Sequence, residues 1–197
     1  MSMPALRPAT SRNDNDDRLP PAEGDELIRT ERLVLRPLRR SDAGLIALYT
    51  GDKRLADGTR SIPHPLPPGA AEAYVARLQA EGREGRTVAW AIDGSEAQLA
   101  ELLGVVTLSR VAPGQCELEF WIGPGFWNTG FATEAVEGLI RANPRGCVSF
   151  VAEAFQDNPG SARVLTNCGF EYLGDAESWS VARNARVPTW TYARPTG

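Results

Sequence analysis

The 197-residue chain carries one histidine, His64, two methionines and three cysteines. A Ser–His or Cys–His dyad would therefore have to draw its base from a single position. Cys116, Cys147 and Cys168 are odd in number and share no short metal-type spacing, so they are expected to be reduced core or near-surface thiols of a cytoplasmic protein, with no metal bound. No run reaches the ~18 consecutive apolar residues that a membrane span requires. The first ten residues lack the basic-then-apolar order of a secretory signal. Large charge of one sign is also missing. The net charge is −4, and residues 1–26 hold three arginines against six acids, which leaves 18 bases and 19 acids in the remainder. A nearly neutral body has no basic stripe for nucleic acid and no patch for a membrane surface.

What is present is an ordinary globular composition, 42% apolar and 23% charged. Residues 1–26 are rich in Pro, Asn, Asp and Arg without an apolar period, and are expected to form a disordered acidic tail. Residues 27–197 are expected to form one domain. Leu33-Val-Leu35 reads as a strand closed by Pro37. Ser41-Asp42 offers an N-cap for a helix whose stripe is Leu45, Leu48 and Tyr49. Four prolines within 62–68 exclude a helix there, and a second helix is expected over 70–81. Strands are expected at 88–92, 103–110 and 115–122, the last two joined through Pro113-Gly114. A helix over 130–141, with a stripe of Ala132, Ala135, Val136, Leu139 and Ile140, precedes a strand at 148–154 and a short helix at 159–167. Two short strands, near 170–173 and 189–194, close the chain. Trp90, Trp121, Trp179 and Trp190 lie in or near strands and are expected in the core. The order predicts a mixed α+β sheet with a central meander.

The segment Trp121-Ile-Gly-Pro-Gly-Phe-Trp-Asn-Thr-Gly-Phe-Ala-Thr-Glu-Ala135 carries the chemistry. A strand ends, a glycine-bearing turn follows and a helix opens at Gly130. Its first turn presents unpaired N–H groups with the positive end of the helix dipole behind them. Gly130 and the small Ala132 leave room for a pyrophosphate. The same residues would equally serve a plain turn and ordinary packing.

At this point the sequence resembles the GNAT superfamily of N-acetyltransferases, and its RimJ/RimL-like branch in particular. The resemblance rests on Thr30-Glu-Arg-Leu-Val-Leu-Arg-Pro-Leu38 with Asp42-Ala43, on Phe126-Trp-Asn-Thr-Gly-Phe-Ala-Thr-Glu-Ala135, and on Asn158-Pro-Gly-Ser-Ala-Arg-Val-Leu-Thr-Asn-Cys-Gly-Phe170. Ile62-Pro-His-Pro65 is a weaker echo. The resemblance implies a GNAT-type α+β fold: a mostly antiparallel sheet with flanking helices and a splayed parallel strand pair, 115–122 and 148–154, at the cofactor site. It implies acetyl-CoA as cofactor and CoA as product. The backbone at Trp121 and Ile122 would pair with the pantetheine arm, Trp127 would stand in the loop, and the amides of Asn128, Thr129, Gly130, Phe131, Ala132 and Thr133 would hold the pyrophosphate. Two features depart from the superfamily. The loop has no base between Trp127 and Thr133, and no tyrosine stands four residues before Gly169.

Glu117 and Glu119 share one strand face with Trp121. They are the candidate bases that draw a proton off the amine through a water, against the reading of a solvated strand face. Glu117 matches a position that is often glutamate in the branch. Asn158 before Pro159 suits an N-cap and also lies near the expected cofactor. Ser161, in the following turn, is the candidate acid toward the leaving thiolate, with Tyr172 and Tyr192 in reserve. His64 is a candidate for the substrate loop. The expected activity is acetyl transfer from acetyl-CoA to a primary amine, on a protein N-terminus or a small molecule, by direct attack in a ternary complex. The chain would act as a monomer or homodimer, and the alternative is a non-catalytic acyl-CoA-binding module.

Overall fold

The computed structural model describes residues 27–196. The tail expected over 1–26 lies outside them. Eight strands form one sheet in the order β1-β2-β3-β4-β5-β6-β8-β7. They are β1 (Ile28–Arg29), β2 (Val34–Pro37), β3 (Thr87–Asp93), β4 (Gly104–Ala112), β5 (Gln115–Ile122), β6 (Ser149–Phe155), β7 (Glu171–Ser180) and β8 (Ala185–Pro195). All neighbours are antiparallel except β5 and β6. The helices are α1 (Ala43–Thr50), α2 (Lys53–Asp57), α3 (Ala70–Arg83), α4 (Phe131–Ala142) and α5 (Pro159–Asn167). This is the expected mixed α+β sheet with flanking helices.

Period-2 alternation sorts the central strands between two cores. Val88, Trp90 and Ile92 of β3, Val106 and Leu108 of β4, and Cys116, Leu118 and Ile122 of β5 pack with Phe131, Ala135, Val136, Leu139 and Ile140 of α4 and with Leu165 of α5. The opposite face, with Ala91, Val105 and Trp121, packs under Ile46 of α1, Leu55 of α2, and Val75 and Leu78 of α3. Gly104 lets β4 lie against the Trp121 carbonyl, a space that a Cβ would fill.

Several expectations are corrected. In α1 the buried residues are Ala43, Ile46 and Thr50, while Leu48 is 68% exposed. Asp42 does not cap α1 with its side chain. Its carboxylate instead takes two hydrogen bonds from the buried Arg36, at 3.0 and 2.8 Å, and one from the Arg39 amide at 2.7 Å. Leu45 and Tyr49 of the expected stripe are partly buried against the same core as Ile46, so only Leu48 departs from it. Helix α2 is not foreseen at all; five residues, Lys-Arg-Leu-Ala-Asp, are too few to show a period. The closing strands are much longer than expected. Nearly every residue of β7 is exposed, so β7 has no apolar alternation to read. Trp179, on β7, is 51% exposed rather than in the core.

Candidate active site

Strands β5 and β6 pair at only three positions, Gln115↔Ser149, Cys116↔Phe150 and Glu117↔Val151. Beyond Glu117, β5 runs on to Ile122 bonded only to β4, and β6 runs on to Phe155 bonded only to β8. The sheet therefore opens into a wedge whose edges present backbone groups that no neighbouring strand satisfies. The expectation of three reduced thiols is corrected at the closed end. Cys116 and Cys147 form a disulfide across a Cα–Cα distance of 6.0 Å, and only Cys168 is free. Their separation of 31 residues hides the pairing in the sequence. The parallel register brings them together, because β6 starts beside the start of β5. Burial pushes the Cys168 thiol up to about 12, so it stays protonated and unreactive.

At the open end, β5 leads through a short 3-10 turn, Pro124–Phe126, to α4. Asn128 and Gly130 both take left-handed backbone conformations, φ +61° and +84°. The first helical hydrogen bond runs from Glu134 N to Gly130 O at 3.0 Å. The amides of Phe131, Ala132 and Thr133 are thus left without helical partners, and no side chain caps the helix. The Trp127 indole donates to the Ile122 carbonyl at 2.7 Å, and its ring lies under the Arg54 guanidinium, 5.5 Å away. The Thr129 hydroxyl donates to Phe126 O at 2.6 Å, which tightens the loop.

Glu134 fixes the direction of this helix. Its Oε1 accepts from the Thr30 hydroxyl at 2.6 Å and the Arg32 amide at 2.7 Å, and its Oε2 from Arg32 Nε at 2.7 Å. Burial pushes its carboxyl upward, but the hydrogen bonds from Thr30 and Arg32 outweigh it and hold the carboxyl below its ordinary 4.5. A lowered folded-state value means stabilisation that is complete above the ordinary glutamate range and lost as pH falls through the lowered value. Glu134→Gln is expected to reduce stability by about 1–2 kcal/mol at pH 7. The gap to the wild type should close as pH drops below 4.5. Urea melts across this range check it; a gap independent of pH would mean that the charge is not what matters.

A cleft of about 700 Å³ runs from the wedge to the start of α4. Trp121, Ile122, Trp127, Asn128, Gly130, Phe131, Ala132, Thr133, Asn158 and Ser161 all line it. Thr129 is the one residue expected at the cofactor that does not. The base absent from the loop is supplied by other elements: Arg54 from α2, Arg163 from α5 and Arg183 from the β7–β8 turn. Arg183 is engaged by Asp157 and the Asp57 carbonyl, and Arg54 by Asp52. Arg163 is exposed and has no side-chain partner among the described residues. Uncapped amides, a left-handed glycine at the head of the helix and a ring of arginines together fit a phosphorylated cofactor such as acetyl-CoA. Sequence reading missed Arg54 and Arg183 because neither lies in a motif and both arrive from elements that were unforeseen or underestimated.

A second, smaller cavity of about 70 Å³ adjoins the cleft, sharing Gly58, Thr59, Phe120, Trp121 and Ser161 with it. Ser161 thus stands at the junction. Its amide donates to Asn158 Oδ1 at 3.2 Å, the N-cap bond of α5, and its hydroxyl has no partner among the described residues. Asn158 also donates to the Gly58 carbonyl at 3.4 Å. Glu119 lines the small cavity and Glu117 does not. Arg60, a residue the sequence reading did not weigh, joins both: its Nη2 donates to Glu117 Oε1 at 2.6 Å and also to Glu119. The segment bearing Arg60 is tied down from the far side, by Val181 N to Arg60 O at 3.0 Å and by Arg183 to the Asp57 carbonyl. Tyr172 is exposed and hydrogen-bonded to Asp175, and Tyr192 is buried away from both cavities. The tyrosine that does border the small cavity is Tyr74, whose hydroxyl accepts from Trp121 Nε1 at 3.2 Å. Burial raises its phenol above 10.0. His64 borders neither cavity, although Ser61 and Ile62 beside it line the small one.

Comparison with known proteins agrees with this geometry. Residues 32–171 match the model of the acetyltransferase (GNAT) domain. An uncharacterized N-acetyltransferase, p20, of Bacillus licheniformis is 23% identical over 175 residues, covering 85% of this chain and 95% of that one. Among solved structures, RimL, a ribosomal L7/L12 α-N-protein acetyltransferase in complex with coenzyme A, superposes with a TM-score of 0.74 at 18% identity, over 86% of this chain and 98% of that one. Mycobacterium smegmatis RimJ, in complex with a CoA disulfide, superposes with a TM-score of 0.73 at 20% identity, over 87% and 86%. The wedge between β5 and β6, the uncapped helix beside it and a family match over most of the chain lead to one conclusion: this protein belongs to the GNAT family of acetyltransferases.

Proposed function

We propose that the chain transfers the acetyl group of acetyl-CoA to a primary amine by direct attack in a ternary complex, within the RimJ/RimL-like branch. The observation that carries this is the junction at Ser161, where a cleft suited to the donor meets a small cavity suited to an acceptor. The amides of Phe131, Ala132 and Thr133 hold the pyrophosphate, with Arg163 closest to an uncommitted cation. The open end of β5, around Trp121 and Ile122, pairs with the pantetheine arm. Bound acetyl-CoA supplies an activated acyl group; the new N–C bond replaces the C–S bond, and a proton that leaves nitrogen ends on sulfur. Glu119, reached by the acceptor cavity, takes the amine's proton through a water. Ser161 stands beside the departing sulfur and gives it one. A cytoplasmic location accords with the need for acetyl-CoA, and no helix among the described residues is long and apolar enough to cross a membrane.

The geometry shifts the choice of base from Glu117 to Glu119. Glu119→Gln is expected to lower kcat/KM about 10-fold or more at pH 7, with partial recovery at high pH where free amine is abundant. Glu117→Gln should act less, by loosening Arg60. Acetyl-CoA affinity should stay constant in both. A pH–rate profile of each variant decides: overlay with the wild type would show that the enzyme selects unprotonated amine from solution. To test the function itself, turnover is measured with acetyl-CoA against peptides, amino acids and simple amines. Tight acetyl-CoA binding without turnover of any amine would leave a binding module.

A further inference from the structure

We propose that the acceptor is a short α,ω-diamine or polyamine, an amine carrying a second positive charge three to five carbons away. This rests on the acetyl-transfer reading above and specifies its substrate.

Three carboxylates, Glu117 and Glu119 from β5 and Glu153 from β6, share one guanidinium, Arg60, and two of them, Glu119 and Glu153, line the acceptor cavity. Of the charged residues that line the cavity wall, only Arg60 is basic, against Glu119 and Glu153. Glu153 is the acid that β6 contributes to this wall. Its Oε2 lies 3.5 Å from Arg60 Nη1 and accepts from the Ser178 hydroxyl, and no hydrogen bond reaches its Oε1. Its side chain is 23% exposed, so most of its charge is withdrawn from water without a full counter-charge.

An independent feature points into the same cavity. Thr107 and Thr189 line it, are 6% and 1% exposed, and bury hydroxyl oxygens that have no hydrogen-bond partner. The strand register places them with the acids, Thr107 opposite Glu119 and Thr189 opposite Phe155, two residues along β6 from Glu153. A buried hydroxyl left unpaired is costly and calls for a ligand or water. The shared chemistry of these groups is acceptance: carboxylate and hydroxyl oxygens take hydrogen bonds, and an ammonium offers three donors and no acceptor.

The rest of the wall is apolar, with Ile62, Val105, Leu118 and Phe155 among its residues, which suits methylenes. The volume is about 70 Å³, on a measure by which one water takes about 10–15 Å³. That holds roughly five heavy atoms, a short chain with a charged end rather than a peptide's first residues. With the far ammonium among Glu153, Thr107 and Thr189, the near amine reaches the junction at Ser161 and Glu119. The charged end stays charged; the reacting end loses its proton and is acetylated.

The test compares 1,4-diaminobutane with n-butylamine and with a Ser-initiated hexapeptide, using the full chain and saturating acetyl-CoA. The expected result is a kcat/KM for the diamine at least tenfold above that for butylamine at low ionic strength, with the ratio shrinking as salt is added. Glu153→Gln should bring the ratio toward one. Thr189→Val should lower the ratio several-fold while the melting temperature holds or rises, since it removes an unpaired buried hydroxyl; a purely structural Thr189 would instead lose stability and leave the ratio intact. Equal rates for the two amines, or a peptide rate exceeding that of the diamine, overturns the proposal and leaves acetyl transfer standing. Absence of acetyl-CoA binding by calorimetry overturns both.

Discussion

Gly130→Val is expected to raise the dissociation constant for acetyl-CoA by more than 100-fold while leaving the domain folded. Two effects act together. The residue sits at φ +84° as the N-cap of α4, where a β-branched side chain is a strong outlier. A Cβ there meets only Arg32 Nη2, at 3.5 Å, so the added methyls would occupy open space at the mouth of the helix, where the phosphates are expected to approach. The backbone strain is worth about 2 kcal/mol, or about 4–8 °C in melting temperature for a domain of this size. Gly146 provides a matched control. It too is left-handed, at φ +59°, but it lies in the turn before β6, and a Cβ there meets nothing within 4 Å. Gly146→Val should lose similar stability and keep its acetyl-CoA affinity. Calorimetric titration of both variants separates strain from obstruction. Unchanged affinity in a folded Gly130→Val protein would move the cofactor away from this helix.

Ser161→Ala is expected to reduce kcat about 100-fold, or about 2.7 kcal/mol, with acetyl-CoA affinity within about threefold. The substitution is clean because the cap of α5 uses the Ser161 amide and the Asn158 side chain, not the serine hydroxyl. A fall in kcat without a matching fall in affinity marks a contact made only as the C–S bond breaks. Full activity would confine Ser161 to the helix turn and pass the role to Tyr74, the tyrosine already on the cavity wall.

The fold was legible where burial imposes a period. Strand Gln115–Ile122 and helix Pro159–Asn167 appear at the expected residues, because each presents a continuous apolar face. The glycine-headed helix start was legible for a different reason: the local backbone needs glycine at 130, although Thr30 and Arg32, which orient the helix through Glu134, lie far along the chain. What escaped depends on partners far along the chain. Asp42 looks like a helix cap until its carboxylate is seen bound by the buried Arg36 of β2. Cys116 and Cys147 look like separate thiols until a parallel register lays β6 beside β5. The acceptor cavity was the least legible part. Glu117 and Glu119 were visible as a pair on one strand, but Arg60, Glu153, Thr107 and Thr189 come from four separate elements and share no spacing.

The segment from Asp57 to Arg60 hangs from other parts of the chain by its own carbonyls. Arg183 holds Asp57, Asn158 holds Gly58 and Val181 holds Arg60. Two of these three clamps belong to the β7–β8 turn, which contributes Arg183 to the rim of the cleft but nothing to the phosphate-binding helix. The two cavities are therefore mechanically joined through this segment, since Gly58 and Thr59 line both. Lengthening or shortening this one surface hairpin would shift Asp57 to Arg60 and Arg183 together, and with them the walls of both cavities. A change of length in a hairpin remote from the reacting atoms would thus be felt at both ends of the site at once.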